Sequence, residues 1–137
     1  MRRHARLLTG IGCAVLCVGA ALAQTYPSKA IRMVMPFPPG GPTDLLGRIL
    51  SQKLQELWAQ PVVIEYKPGA GTVIGVDAVA KSAADGYTIG LITVASHTLN
   101  PMLYSKLPYD PDKDIIAVSR VAYLANLLGV TKSLPAN

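Results

Sequence analysis

Two glycine-rich segments hold the residues of this sequence that are best suited to chemistry. PFPPGGPTD covers residues 36–44 and KPGAG covers residues 67–71, and each stands directly before a stretch with helical spacing. Glycine lets a backbone approach a ligand closely, and the first N–H groups of a helix have no partner inside it. Together these features predict a site for a carboxylate or another small oxyanion that needs no cationic side chain. The competing interpretation, an ordinary tight strand-to-helix connection, stays open for each segment.

A third polar segment, residues 93–98, adds side-chain donors. It supplies the hydroxyls of Thr93, Ser96 and Thr98 and the imidazole of His97. Apart from His4, His97 has no other histidine with which to form a metal cluster, and a serine beside it in sequence does not make a catalytic pair. We therefore interpret His97 as a loop donor or a solvated side chain, in a hydroxyl-rich loop that suits an oxyanion.

The usual enzyme motifs are absent from the sequence. It has no GxxxxGK[ST] phosphate loop, no GxSxG nucleophile turn and no HExxH zinc motif. Gly69, Gly71 and Gly75 form GxGxxxG, which is one residue longer than the dinucleotide fingerprint. No acidic residue ends the next predicted strand, where recognition of a ribose would need one. The sequence therefore gives little support to a nucleotide cofactor.

Several single side chains are open to two interpretations. Asp44 is either a general base or a carboxylate that caps a helix, and the second is the more common use of an acid in a first turn. Phe37 is either a core residue or an apolar wall over a ligand. Asp110, Asp112 and Asp114 predict a solvated turn rather than a calcium loop, because no EF-hand spacing follows them.

Alternating strands and helices are predicted to position the three loops. Short apolar runs typical of buried strands cover residues 31–35, 62–65 and 87–93. Helical spacing covers residues 45–58 and 72–81, and Gly41 and Pro42 suit the N-cap and the first position of the first helix. This order predicts a parallel sheet with right-handed crossovers. All three loops then leave the carboxyl edge of one sheet, where ligands of such sheets bind.

The same patterns predict one helix face and three further elements. Helical intervals place seven apolar residues on one face of the first helix: Leu45, Leu46, Ile49, Leu50, Leu54, Leu57 and Trp58. Residues 100–104 predict a helical turn. Residues 115–121 and 127–131 predict two more strands.

The first 23 residues are typical of a secretory leader. Three arginines within the first six residues precede an apolar run at 7–20, and the sequence ALA at 21–23 fits the small-x-small cleavage pattern. We therefore expect cleavage after Ala23 and a periplasmic location. The alternative is a transmembrane anchor, but the run is too short to span about 30 Å of hydrocarbon comfortably.

Removing the leader changes what the composition allows. Cys13 and Cys17 leave with it, so the remaining chain has no disulfide, no thiolate metal ligand and no cysteine nucleophile. The formal net charge falls from +5 to +2, because ten basic residues then face eight acidic ones. No basic cluster with interleaved aromatic residues remains, which argues against a nucleic-acid surface. An exported chain without disulfides is typical of the bacterial periplasm.

Four segments carry a resemblance to a known family: PFPPGGPTD, QPVVIEYKPGAGTVIG, DGYTIGLIT and HTLNPMLYSKLPYDPDKD. With them the chain, from the leader to its last residue, closely resembles the Bug-type periplasmic solute-binding receptors of the tripartite tricarboxylate transporter system. The resemblance implies an α/β, two-lobed, periplasmic-binding-protein fold of type II. It implies ligands that are small carboxylates, namely di- and tricarboxylates, acidic amino acids and related organic acids. It also implies a monomer without enzymatic activity, metal or cofactor, which serves the permease subunits of a membrane transporter.

The resemblance also assigns ligand contacts and points to two departures. Carried over by motif, the ligand-binding residues are Phe37, Gly40, Gly41, Thr43 and Asp44 in the first loop, Gly71 in the second, and Thr93, Ser96 and His97 in the third. Relatives commonly have Asn-Arg where this chain has Tyr66-Lys67, and Gly-Asn where it has Thr72-Val73. We therefore expect a narrower and less polar second loop.

Family members continue through a second lobe and then return to the first. The resemblance therefore divides this chain into a leader at 1–23, an incomplete first lobe at 24–122 and a crossover into a second lobe at 123–137. We expect an N-terminal fragment that binds dicarboxylates weakly or not at all on its own. Two alternatives stay open: a truncated product without function, and a small α/β enzyme that holds an anionic cofactor at the PGAG loop.

Overall fold

The computed structural model describes residues 25–125, 129, 131 and 133, and the leader predicted at 1–23 lies outside the described residues. Three parallel strands form one sheet in the order β2-β1-β3. They are β1 (Ile31–Met35), β2 (Val62–Tyr66) and β3 (Thr88–Gly90). This confirms the predicted parallel α/β arrangement, with the first strand in the centre, where it is buried from both sides.

Two longer helices connect the strands. They are α1 (Pro42–Trp58) and α2 (Val73–Ala80), and a short α3 (Asn100–Leu103) follows β3. Gly41 is the N-cap of α1 and Pro42 its first residue, as predicted, and α1 ends at Ala59 in a left-handed conformation with φ of 52°. A 3₁₀ turn at Ala70–Thr72 precedes α2, and a π-helical turn at Ala95–Leu99 precedes α3. None of the helices in the described part of the chain is long and apolar enough to cross a membrane.

The central strand separates two apolar clusters. Ile31, Met33 and Met35 pack with Leu50, Leu54 and Trp58 of α1. On the other side, Val73 and Val76 of α2 pack with Tyr109, and the Arg32 guanidinium lies 3.5 Å from the Ala78 carbonyl oxygen of the same helix. Because successive side chains of a strand point to opposite faces, α1 and α2 cover opposite faces of the sheet.

The apolar face predicted for α1 is too wide. Leu45, Ile49 and Leu57 are 63%, 52% and 77% exposed. The half-buried residues that face the sheet follow a strict interval of four: Leu46, Leu50, Leu54 and Trp58. A sheet of three strands covers a narrow stripe of a long helix, so side chains one position away, about 100° around the axis, stay outside.

The later strands were also predicted in the wrong place or at the wrong length. Residues 115–121 form no strand, and Ile116 and Val118 are 87% and 91% exposed. An apolar stretch becomes a strand only beside a neighbour that satisfies its backbone groups, and within the described residues this one has none. β3, at Thr88–Gly90, is also shorter than the predicted 87–93. Of the strand predicted at 127–131, residues 127, 128 and 130 lie outside the described residues.

Substitution of Met33 tests whether the apolar core around the central strand β1 supplies most of the stability of the fold. Met33 is 1% exposed, and Met33→Ala is expected to lower the free energy of unfolding by about 2–5 kcal/mol, because it leaves a cavity between the sheet and α1. Val63→Ala is the matched control, since Val63 is 55% exposed and should change that free energy by less than about 0.5 kcal/mol. Chemical denaturation measures both, and equal effects would contradict a core centred on β1.

Candidate functional site

Hydrogen bonds bring the three loops together at the carboxyl edge of the sheet. The second and third loops meet where Thr72 Oγ1 lies 2.7 Å from Ser96 Oγ. The Asn100 amide of α3 donates to the Gly71 carbonyl oxygen at 3.0 Å. The first and second loops meet where the Tyr66 hydroxyl donates to Asp44 Oδ1 at 2.6 Å. The edge is therefore one continuous structure, as the strand order predicted.

Asp44 anchors the first loop. Its Oδ2 accepts the Gly40 N–H at 2.8 Å, and its Oδ1 accepts the Tyr66 hydroxyl. Arg48, one turn further along α1, donates from Nε to both carboxylate oxygens at 3.1 Å and from a terminal nitrogen to the Tyr66 oxygen at 2.9 Å. Asp44 is 5% exposed, so it has little surface left for the ligand contact that the motif assigned to it. Asp44 lies in the first turn of α1 but bonds the N–H of Gly40, the residue before the N-cap, rather than an N–H of the helix, so its oxygens fix the path of the loop.

The Gly40 N–H is therefore not free for a ligand, but its neighbours are. The N–H groups of Gly41 and Thr43 donate to no partner within the described residues, and Pro42 has no N–H. A Cβ built on Gly40 or Gly41 would meet nothing within 4 Å, so the loop borders open space. Gly40 has a φ of +94°, a conformation that favours glycine. An anion could thus approach the backbone of Gly41 and Thr43 closely.

The second loop holds a run of four residues with positive φ. They are Gly69 at 125°, Ala70 at 46°, Gly71 at 58° and Thr72 at 81°. The Tyr104 hydroxyl donates to the Ala70 carbonyl oxygen at 3.0 Å, as Asn100 does to that of Gly71. Asn100 at the start of α3 and Tyr104 at its end thus hold the strained loop in place. Gly71 itself is exposed.

The third loop contributes a buried hydroxyl rather than an exposed one. Ser96 is fully buried and bonds to the Thr72 and Thr93 hydroxyls at 2.7 and 3.1 Å. The Tyr109 hydroxyl donates to the Ser96 carbonyl oxygen at 3.2 Å, which ties this turn to the cluster under α2. Ser96 therefore reaches a ligand only through the threonines, which are half-buried. The predicted direct contact from Ser96 needs this correction.

The remaining two predicted residues are placed less specifically. His97 is exposed, and its Nε2 lies 3.5 Å from Asp112 Oδ1. Phe37 is half-buried and belongs to neither apolar cluster, which favours the wall over the core interpretation. The turn around Asp112 is closed by hydrogen bonds from backbone N–H groups to Asp110 and Asp114, as a solvated turn predicts.

Both cations beside the first two loops are neutralised by carboxylates. Arg48 pairs with Asp44, and the Lys67 ammonium lies 2.9 Å from Glu65 Oε1. Lys67 also lowers the pKa of Glu65 by its hydrogen bond. In residues 25–125 no three His, Cys, Asp or Glu side chains are grouped as metal ligands. What the edge offers an anion is therefore backbone N–H groups and hydroxyls.

A large cavity lies beside this edge rather than within it. It has a volume of 1640 Å³ and is mostly apolar, with walls from α1, β3 and the extended residues 114–124. Thr43, Thr93 and His97 border it, but the other predicted ligand residues do not. Sites for small molecules usually enclose about 300–1,000 Å³. This trough runs beside the edge strand β3, and a small carboxylate would not fill it.

Five residues of the edge were missed as contributors to the site: Arg48, Tyr66, Thr72, Asn100 and Tyr104. Arg48 had a local signal, since an arginine four residues after an aspartate commonly pairs with it on a helix. Tyr66 and Thr72 appeared in the sequence as departures from the family pattern, without a role. Asn100 and Tyr104 lie about thirty residues from the carbonyl groups they bind, and no local pattern reports such a pairing.

The Asp44 cluster predicts a pH dependence with a definite sign. The Tyr66 hydroxyl, the Gly40 N–H and Arg48 lower the pKa of Asp44. Because its pKa is lowered, ionised Asp44 stabilises the fold at any pH above its ordinary pKa of about 3.9. This contribution is lost as the pH falls through the lower pKa of the folded state. The hydrogen bond to Asp44 raises the pKa of Tyr66, so its contribution is present below about pH 10 and lost above its raised value. Carboxyl carbon NMR should place the Asp44 midpoint below 3.9, and a midpoint at or above about 3.9 would contradict the cluster.

Comparison with known proteins places the chain among transport receptors. Residues 46–137 match the family model described as "Tripartite tricarboxylate transporter family receptor". Protein BugT of Bordetella pertussis is 46% identical over 121 residues, which are 85% of this chain and 37% of BugT. The chain thus spans well under half the length of this relative.

Solved structures agree with the sequence relatives. The periplasmic binding protein BugD superimposes with a TM-score of 0.61 at 39% identity, over 65% of this chain and 29% of BugD. MatC from Rhodopseudomonas palustris, solved with bound malate, has a TM-score of 0.61 at 36% identity, over 65% of this chain and 30% of MatC. The α/β periplasmic-binding-protein fold expected from the sequence is thereby confirmed for the part of the chain that superimposes.

Proposed function

Since this chain belongs to the tripartite tricarboxylate transporter receptor family, we propose that it forms the first-lobe side of a binding site for small dicarboxylates. One observation carries the proposal: three loops meet at the carboxyl edge of the sheet and offer N–H groups and hydroxyls, while the neighbouring cations are already paired. Such donors stabilise an anion by fixed dipoles. The malate bound to MatC is a small dicarboxylate of the kind that these donors suit.

Each predicted ligand residue has a distinct part in this proposal. Gly41 and Thr43 donate backbone N–H groups to a carboxylate, and Phe37 forms an apolar wall. Gly40 and Asp44 hold the first loop in shape. Gly71 lets the second loop approach closely, Thr93 donates a hydroxyl, Ser96 orients the threonines, and His97 donates at the rim. Residues 24–122 then act as the first lobe and 123–137 as the start of the crossover.

The proposal extends to location and partners. A leader ending at Ala23 would deliver the chain to the periplasm, where BugD is a binding protein. There the receptor, as a monomer, would hand its ligand to membrane permease subunits. It would act by binding alone, without catalysis or cofactor. Mass spectrometry of chain expressed with its leader and collected from the periplasm should give a first residue of Gln24, and a mass that retains the leader would contradict export by this route.

Calorimetry with charged and uncharged ligands tests the binding proposal. The relatives are more than twice as long as this chain, and closure of two lobes supplies much of the contact in such receptors. We therefore expect millimolar affinity for malate and succinate and no measurable binding of their dimethyl esters. Thermal-shift assays with NAD and ATP are the parallel arm, because any ligand of the folded state raises the Tm. Binding of the esters, stabilisation by a nucleotide, or no binding of any carboxylate would overturn the proposal.

A further inference from the structure

Thr72 adopts a backbone conformation that a threonine rarely tolerates. Its φ is 81° and its ψ is −8°, and positive φ is a strong outlier for a β-branched residue because the side chain crowds the backbone. Glycine would meet no such penalty at this position. Strain of this kind persists only where surrounding contacts hold the residue in place. The contacts of the Thr72 side chain therefore explain why this conformation is kept.

The Thr72 hydroxyl begins a chain of three. It bonds to Ser96 Oγ at 2.7 Å, and Ser96 Oγ bonds to Thr93 Oγ1 at 3.1 Å. The Asn100 amide approaches Thr72 Oγ1 at 3.4 Å as a donor. Ser96 is fully buried, whereas Thr72 and Thr93 are half-buried at the edge where the loops meet. The two end residues of the chain are therefore partly accessible, and its middle residue is not.

The hydroxyl protons determine which hydrogen-bonding groups the two threonines offer to a ligand. The three hydroxyls carry three protons, and the two hydrogen bonds between them use two of these protons. If both threonines donated to Ser96, the buried serine proton would have no acceptor among its described neighbours, at a cost in free energy. Ser96 therefore donates to one threonine and accepts from the other. One threonine keeps a free proton to donate outward, and the other presents lone pairs.

A donor beside an acceptor matches a ligand hydroxyl better than a bare carboxylate. A hydroxyl both donates and accepts, whereas an ionised carboxylate only accepts. The two threonine oxygens are separated at most by the combined length of their bonds to Ser96, a span that one ligand oxygen can bridge with two hydrogen bonds of ordinary length. Either proton order within the chain presents the same pair of ends.

We propose that Thr72 is a specificity-determining residue, and that the Thr72–Ser96–Thr93 chain selects carboxylates that carry a hydroxyl group. The inference rests on the proposed receptor function and adds the ligand class to it. Without the Thr72 hydroxyl, Ser96 donates to Thr93, and the edge keeps a donor but loses the acceptor partner. The selectivity for a hydroxylated ligand then disappears while binding of a plain dicarboxylate remains.

The proposed selectivity is tested by comparing the binding of malate and succinate, which differ by one hydroxyl. Three proteins are compared: the wild-type chain, Thr72→Gly and Thr72→Ser. NMR titration of the chain measures millimolar dissociation constants directly. The wild type should bind malate about tenfold more tightly than succinate, the effect of one satisfied hydrogen-bonding group. Thr72→Ser should keep this ratio, and Thr72→Gly should bring it close to unity, because it weakens malate binding more than succinate binding. The Tm of Thr72→Gly should stay equal or rise, because glycine relieves the strain.

The outcomes separate the two levels of the proposal. A wild type that binds malate and succinate equally, or a Thr72→Gly variant that keeps the wild-type ratio, would overturn the specificity role alone. A purely structural role for Thr72 would lower the Tm and both affinities together, which would also overturn it. A wild type that binds neither carboxylate would overturn the receptor function on which the inference rests.

Discussion

Gly75→Ala is expected to destabilise the chain strongly, although alanine normally strengthens a helix by about 1 kcal/mol over glycine. A Cβ on Gly75 would lie 2.6 Å from Pro36 Cβ, 2.7 Å from Pro36 Cα and 2.8 Å from the Lys67 carbonyl oxygen. Two of these atoms are backbone, so no side chain can turn aside to make room. Overpacking commonly costs about 1–3 kcal/mol, and we expect the upper end of that range or more.

The position of Gly75 makes this a test of the site as well as of the fold. Pro36 opens the first loop and Lys67 opens the second, so the glycine lets α2 bring the two loops together. Gly41→Ala is the control, because a Cβ there meets nothing within 4 Å and φ is an ordinary −89°. Denaturant unfolding should show a large loss for Gly75→Ala and a change within about 0.5 kcal/mol for Gly41→Ala. Similar midpoints for Gly75→Ala and the wild type would contradict the close approach.

Asp44→Asn is expected to loosen the first loop and weaken carboxylate binding together. The amide keeps the size of the side chain but removes the charge that pairs with Arg48, and it offers one acceptor oxygen where the carboxylate offers two. Charge-assisted hydrogen bonds are roughly twice as strong as neutral ones. Hydrogen exchange at the Gly40 amide should therefore accelerate roughly tenfold, with a similar loss of malate affinity.

Asp85→Asn is the matched control for this prediction. Like Asp44, Asp85 pairs with a basic side chain, that of Lys29, and accepts a backbone N–H, that of Tyr87. Asp85, however, precedes β3 and lies at the opposite end of the strands. Asp85→Asn should therefore leave hydrogen exchange at the Gly40 amide and malate affinity unchanged. Equal effects of the two substitutions would show that Asp44 acts through general stability rather than through the loop.

What the sequence could predict was local. The bounds of β1, Ile31–Met35, and the start of α1 at Pro42 follow from short patterns: an apolar run stopped by Pro36, and a glycine N-cap before a proline. The meeting of the loops also follows, because parallel strands place their carboxyl ends at one edge. These parts depend on neighbours in the chain.

The parts that could not be predicted depend on residues far apart in sequence. The Tyr66 hydroxyl that fixes Asp44 of α1 comes from the end of β2, and the Ser96 hydroxyl meets Thr72 across twenty-four residues. No periodicity encodes such pairs. Residues 115–121 show the reverse case, since their apolar pattern is real but lacks a neighbouring strand in the described structure. Motif transfer likewise named residues of the three loops that meet at the edge, without showing that Asp44 and Ser96 are buried.

A small carboxylate is proposed to bind where the three loops meet. Titrating the isotope-labelled chain with malate, and following each backbone amide, tests this most directly. The amides of Gly41, Thr43, Gly71 and Thr93 are expected to shift together along one binding curve, while those of Leu50 and Ile89 in the apolar trough do not shift. Shifts confined to the trough, or separate curves for the separate loops, would contradict it.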